Sequence, residues 1–259
     1  MATPALISDT VLRGEMEWMQ DSLQIDSLKN IRDTKVYLYS GTKDTVVHQG
    51  VVKKLEAQLE TWVDPDKIHT EYSIPSVHSW VTDYTGHECG TFETPFIVNC
   101  GYDQAGILLS HIFGPMANRS SPTVPPSKSI MDNIYEFSQA PYVPGIYTLA
   151  ELSLYPTAYA YVPQQCLRTS SHSDECKFLV LLHGCEQSIR DIGMDMVFNT
   201  GVLQYAETNS IVVLMPQADK SVLNPKGCFD WWGYTGVEYP TKLGPQVSTI
   251  HNMMSQVMK

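Results

Sequence analysis

The stretch VLLHGCEQS, residues 180–188, governs the reading of the whole chain. Aliphatic side chains run as far as Leu182 and stop at His183-Gly184-Cys185, the signature of a buried strand and its C-terminal tip. Gly184 has no Cβ, so a bound group can approach the backbone there, and the Cys185 amide is a candidate donor to a developing oxyanion. The same residues also read as a strand end whose Cys185 is a disulfide partner, and the two readings are compatible.

Working outward, the full strand is KFLVLLHG (177–184), preceded by AYAYVP (158–163) and followed by a helical run over 190–209. SIVVLMPQ (210–217) is a further strand, and PQVSTIHNMMSQVM (245–258) a final helix. Toward the N-terminus, polar helical residues fill the first 30 positions and lead into the strand TKVYLYSG (34–41). HQGVVKKLEAQLETW (48–62) places Val51, Val52, Leu55, Leu59 and Trp62 at helical spacing on one face. The strand HTEYSI (69–74) and the amphipathic helix YDQAGILLSHIFG (102–114) complete this half. Strands alternating with helices predict an α/β fold with a mostly parallel sheet. From Pro115 to about Gly145 the pattern gives way to proline-containing text, so 115–145 is expected to link a first half, 1–114, to a second, 146–259.

The 259 residues are 43% hydrophobic and 17% charged, which suits one folded domain, and the net charge of −11 argues against a nucleic-acid partner. No apolar stretch approaches the roughly 18 residues of a membrane helix. Six cysteines with no Cys-x-x-Cys pair point to three disulfides and away from a metal cluster. Many pairings are open; short local loops suggest Cys89–Cys100 and Cys166–Cys176, leaving Cys185–Cys228. The first residues have neither the basic nor the apolar region of a signal peptide, which is at odds with disulfides and suggests a missing N-terminal piece.

Two further motifs carry chemistry. In SGTKDTVV (40–47) Asp44 lies just beyond the end of a strand, where open α/β sheets build their sites; alone it would read as a turn or capping residue. In IPSVHSW (74–80) His78 follows the next strand. Acid loop, helix, strand, histidine loop is the chain order of the last two triad members of an α/β-hydrolase, with Asp44 orienting His78 as general base. Trp80, Trp231, Trp232 and Tyr234 are candidates to line an acyl-binding cleft or a polymer-adsorbing patch, against core packing as the alternative. Asn118-Arg119-Ser120 is a glycosylation sequon.

VYLYSGTKDTVV, PSVHSW, PFIVNCGYDQAG, YVPQQC, LLHGCEQS and NPKGCFDWWGYTG together resemble the poly(3-hydroxybutyrate) depolymerase family, in its circularly permuted form, from about residue 26 to the C-terminus. The resemblance implies a circularly permuted α/β-hydrolase and a secreted serine esterase of hydroxyacyl esters or polyesters that uses no metal or organic cofactor. It implies a serine first, then Asp44, then His78, with the Cys185 amide in the closing half. No serine of this chain has a glycine two residues before or after it. The elbow and its central strand are therefore expected to be absent, the chain to be an N-terminally truncated product, and its own ester hydrolysis to be negligible. Competing expectations are a non-catalytic ester- or polymer-binding protein, a relative of feruloyl-type esterases, and a thiol hydrolase using Cys185.

Overall fold

The computed structural model describes residues 3–167 and 175–257, which divide into two units at Met116/Ala117. In the first unit, α1 (Asp9–Asp21) is capped by Ser8, whose hydroxyl accepts the Val11 amide, and it lies on α2 (Gln49–Leu59). The Arg13 guanidinium donates to the Ala57 carbonyl at 3.0 Å and Lys54 pairs with Asp9 at 2.9 Å. The strand β1 (Val36–Tyr39) precedes α2, and β2 (Ile68–Glu71) returns beside β1 in parallel, with Val36 opposite Ile68 and Tyr39 opposite Glu71. A β-strand, a crossover helix and a parallel strand form the unit expected of this alternation.

Three short strands follow: β3 (Trp80–Thr82), β4 (His87–Glu88) and β5 (Ile97–Asn99), all parallel with β5 in the middle. Val81, Ile97 and Val98 are buried, and the Cys89–Cys100 disulfide joins the chain just after β4 to the chain just after β5. The helix α3 (Gln104–Phe113) starts at Asp103, whose carboxylate accepts the Gly106 amide, and stops at Gly114, where φ is 89°. A left-handed glycine is the ordinary C-terminal stop of a helix.

The second unit contains α4 (Lys128–Asp132), β6 (Ile134–Ser138), β7 (Thr157–Tyr161), β8 (Lys177–Val180), α5 (Ile189–Ile192), α6 (Asp195–Phe198), α7 (Val202–Thr208), β9 (Ile211–Met215) and α8 (Pro245–Val257). Its sheet runs β6-β7-β9-β8. β6 and β9 flank β7 antiparallel, while β8 pairs with β9 in parallel. On one face Ala158, Leu214 and Met253 are buried against Phe137, Phe178, Val180 and Ile250, so α8 covers this face through its apolar stripe.

The α/β class and the mostly parallel pairing are as the sequence predicts, and three differences have physical causes. Residues 115–145 do not form a linker throughout: Lys128–Asp132 is a helix, and Ile134–Ser138 pairs along its length with β7. The neighbouring prolines lie outside the strand, where they cost no ladder hydrogen bond. The helical run over 190–209 is three short helices, broken at Gly193 and Gly201, both in the left-handed region. Among the described residues the strands pair into three sheets, of two, three and four strands, in place of one.

The HGC strand is the outermost strand of its sheet. Among the described residues nothing pairs with the far side of β8, and its four residues are only half-buried, whereas most of β9 is buried. Lys177 and Leu181 donate to the carbonyls of Ser210 and Leu214. Alternation along a parallel strand turns the Phe178 and Val180 amides to the open side. Amide hydrogen exchange read by NMR should therefore show Leu181 strongly protected and Phe178 and Val180 exchanging at least tenfold faster. Equal protection along Lys177–Leu181 would mean that the edge is covered.

Candidate active site

The Asp44 carboxylate, 8% exposed, is held at both oxygens. Oδ1 accepts the amides of Val46 at 2.9 Å and Val47 at 2.8 Å, and Oδ2 lies 2.8 Å from His78 Nδ1. Burial pushes this carboxyl up, but the His78 hydrogen bond and the two amides outweigh it and hold it below the ordinary carboxylate value. Two backbone amides already satisfy Oδ1, so Nδ1–H of a neutral imidazole donates to Oδ2. That leaves Nε2 as the acceptor nitrogen. His78 is 46% exposed, and among the described residues its Nε2 makes no hydrogen bond.

Several backbone contacts lace the acid loop to the histidine loop. Thr42 donates to the Ile74 carbonyl at 2.9 Å and Lys43 to the Ser76 carbonyl at 3.1 Å. Any Cβ at Gly41 would collide with the Ser76 carbonyl and Oγ, so glycine is required for this close approach. The Tyr39 and Ser76 hydroxyls are 2.6 Å apart. From the first turn of α2, the Gln49 amide donates at 3.0 Å to both the Ser40 and Tyr72 carbonyls. Sequence reasoning missed Gln49, Ser76 and Tyr39; the small pair Ser40-Gly41 was the available signal.

In the second unit the tip of β8 is braced from two sides. His183, 6% exposed, accepts the Ala218 amide at Nε2 (3.0 Å), so its Nδ1 carries the proton and donates to the Gly184 carbonyl at 2.7 Å. Burial lowers its pKa, which keeps the ring neutral as this pair of bonds requires. The Gly184 amide donates to Gln187 Oε1 at 3.0 Å, and Glu186, with φ at 60°, donates from its amide to the Lys226 carbonyl at 2.8 Å. The Cys185–Cys228 disulfide adds a covalent tie. Cys185 itself is exposed, and among the described residues its amide donates to nothing.

All six cysteines are oxidised, as Cys89–Cys100, Cys166–Cys176 and Cys185–Cys228. The expectation of a Cys185 thiol nucleophile is thereby corrected, since a disulfide sulfur offers no thiolate. The aromatic residues fall into different surroundings. Asp230 accepts the amides of Trp232, Gly233, Tyr234 and Thr235 and holds the loop that presents Trp231 (55% exposed) and Trp232 (41% exposed), their rings edge to face. Tyr234 is partly buried, donates to the Cys228 carbonyl at 2.8 Å and accepts from Gln246 at 2.7 Å, so its hydroxyl is committed to the loop. In the first unit, the half-buried Trp80 opens β3, its amide bonded to the Phe96 carbonyl. Among the described residues no group of three or more His, Cys, Asp or Glu side chains is placed to hold a metal ion.

No family model matches the chain. Over 249 residues, 91% of its length, it is 32% identical to a polyhydroxybutyrate depolymerase of Talaromyces funiculosus and covers 69% of that protein. The chain belongs to the poly(3-hydroxybutyrate) depolymerase family. This depolymerase-family chain is also 36% identical over 258 residues, 99% of its length, to a poly(3-hydroxybutyrate) depolymerase of Delftia acidovorans, of which it spans 49%. Two solved structures are similar across 96% of the chain and 78% of their own. One is a serine-to-alanine variant of a PHB depolymerase complexed with an R3HB trimer, at TM-score 0.82 and 31% identity. The other is a PHB depolymerase from Penicillium funiculosum, at 0.80 and 30%.

A carboxyl whose folded pKa is depressed stabilises the protein above its unfolded value, and this contribution is lost as pH falls through the folded one. Replacing Asp44→Asn should therefore lower the urea midpoint near neutrality. The gap from wild type should close as pH falls below the ordinary carboxylate range. A gap that stays constant with pH would show that the Asp44 charge is not what the surrounding donors stabilise.

Proposed function

We propose that this chain carries the acid, the base and an oxyanion donor of a serine esterase acting on poly(3-hydroxybutyrate) and its short oligomers. The observation that carries the proposal is the Asp44–His78 pair, in which a buried carboxylate fixes the imidazole at Nδ1 and leaves Nε2 of a half-exposed ring without a hydrogen bond among the described residues. In the reaction, His78 Nε2 takes the proton of a serine hydroxyl as its oxygen attacks the ester carbonyl. The same proton then passes to the departing hydroxyacyl alkoxide, and water releases the acyl group by the same route. Asp44 keeps His78 in the required tautomer. The Cys185 amide, which has no acceptor among the described residues, is suited to the part of an oxyanion donor. Trp231 and Trp232 offer an exposed apolar face to acyl chains. Three disulfides support action outside the cell.

None of the chain's serines has the flanking glycines of a nucleophile elbow. Loss of one triad member costs on the order of 10⁴ or more in rate, so we assign ester binding without turnover to the 259 residues by themselves. The test is titration with an R3HB trimer, followed by NMR of the histidine side chains and by release of hydroxybutyrate. Saturable shifts of the His78 imidazole with no release above buffer are expected. A folded chain that leaves His78 unmoved at millimolar trimer would overturn the ester-binding assignment. Hydrolysis abolished by His78→Ala would overturn the assignment of no turnover and place a nucleophile among the chain's own serines.

A further inference from the structure

Asn118-Arg119-Ser120 is the one Asn-x-Ser/Thr tripeptide in the sequence, every other asparagine lacking Ser or Thr two residues on. The structure gives this tripeptide fixed flanks and an exposed Asn118. Ala117 is held at both its amide and its carbonyl by the Asn209 carboxamide, at 2.7 and 3.1 Å, just beyond the end of α7. The Ser120 amide donates to the Gln204 carbonyl within α7 at 3.1 Å. Between these anchors the chain has no regular structure, and Asn118 is exposed, its carboxamide free of hydrogen bonds among the described residues. Among the described residues the Ser120 hydroxyl reaches only the Gln204 carbonyl, at a long 3.4 Å. Several prolines follow between Pro122 and Pro126, which keeps the acceptor out of helix and sheet.

We infer that Asn118 is an acceptor for an N-linked oligosaccharide. In the transfer, Asn118 Nδ2 displaces the pyrophosphate from C1 of a polyprenyl-pyrophosphate-linked oligosaccharide. The C1–N bond forms, the polyprenyl pyrophosphate departs with the bonding pair, and one Nδ2 proton is released. A glycan here removes no hydrogen bond and buries no apolar side chain, so the fold tolerates it without rearrangement. It would stand over the proline-containing segment that opens the second unit, shielding exposed backbone from proteases. The inference shares with the proposed function only the export route, and it does not depend on ester chemistry.

The experiment is translation of the full chain behind a cleavable secretory leader in the presence of microsomal vesicles, scoring the leader-cleaved product. One endoglycosidase-sensitive glycan is expected, absent from both Asn118→Gln and Ser120→Ala. Asn118→Gln should retain the wild-type melting temperature and three disulfides, which separates loss of the acceptor from loss of the fold. Leader-cleaved wild-type chain with unmodified Asn118 would overturn the inference. So would a glycan that persists in both variants. Neither result bears on the acid–histidine pair.

Discussion

In a parallel strand pair both strands leave the sheet at the same end, and this constraint on β1 and β2 makes the acid–histidine pair possible. The loop after β1 carries Asp44, and the loop after β2 carries His78. Both emerge side by side because Val36–Tyr39 and Ile68–Glu71 are in register along their length. Parallel pairing needs a crossover, and α2 supplies it with Gln49 in its first turn bonded to both loops. The strands thus fix where the loops start, and Gly41, Ser76 and Gln49 fix how closely they run.

The second unit solves a similar problem differently. Its strand tip at His183-Gly184-Cys185 stands at a sheet edge, where a strand has fewer neighbours to restrain it. A buried neutral histidine, a glutamine side chain and a disulfide replace those restraints. The disulfide closes a sequence separation of 43 residues. Loop-closure entropy alone assigns such a link about 4 kcal/mol against the unfolded chain. The bracing takes up the Gly184 and Glu186 amides and leaves the Cys185 amide between them without an acceptor among the described residues, the condition an oxyanion donor needs.

That Asp44 and His78 meet was legible in the sequence because each follows a strand by a short loop, and chain order is a one-dimensional signal. The cysteine pairs were legible where the loops are short. What the sequence hid is what depends on the third dimension. Gln49 reads as an ordinary polar residue near a helix start, and only the folded chain shows its amide between two carbonyls. Ile134–Ser138 was hidden by nearby prolines that the strand does not include. Tyr234 shares an aromatic run with Trp231 and Trp232, yet its hydroxyl is tied inward while their rings are exposed. The helical run over 190–209 is helical in pieces, since Gly193 and Gly201 turn the chain between three helices.

The account stands on one proton, the one held between His78 Nδ1 and Asp44 Oδ2. The direct measurement is the tautomer of His78, read from its side-chain nitrogen shifts and from a far-downfield Nδ1 proton by NMR at neutral pH. The account predicts the Nδ1–H tautomer with a slowly exchanging proton, and loss of that signal in Asp44→Asn. An Nε2–H tautomer, or an Nδ1 proton unaffected by Asp44→Asn, would contradict it.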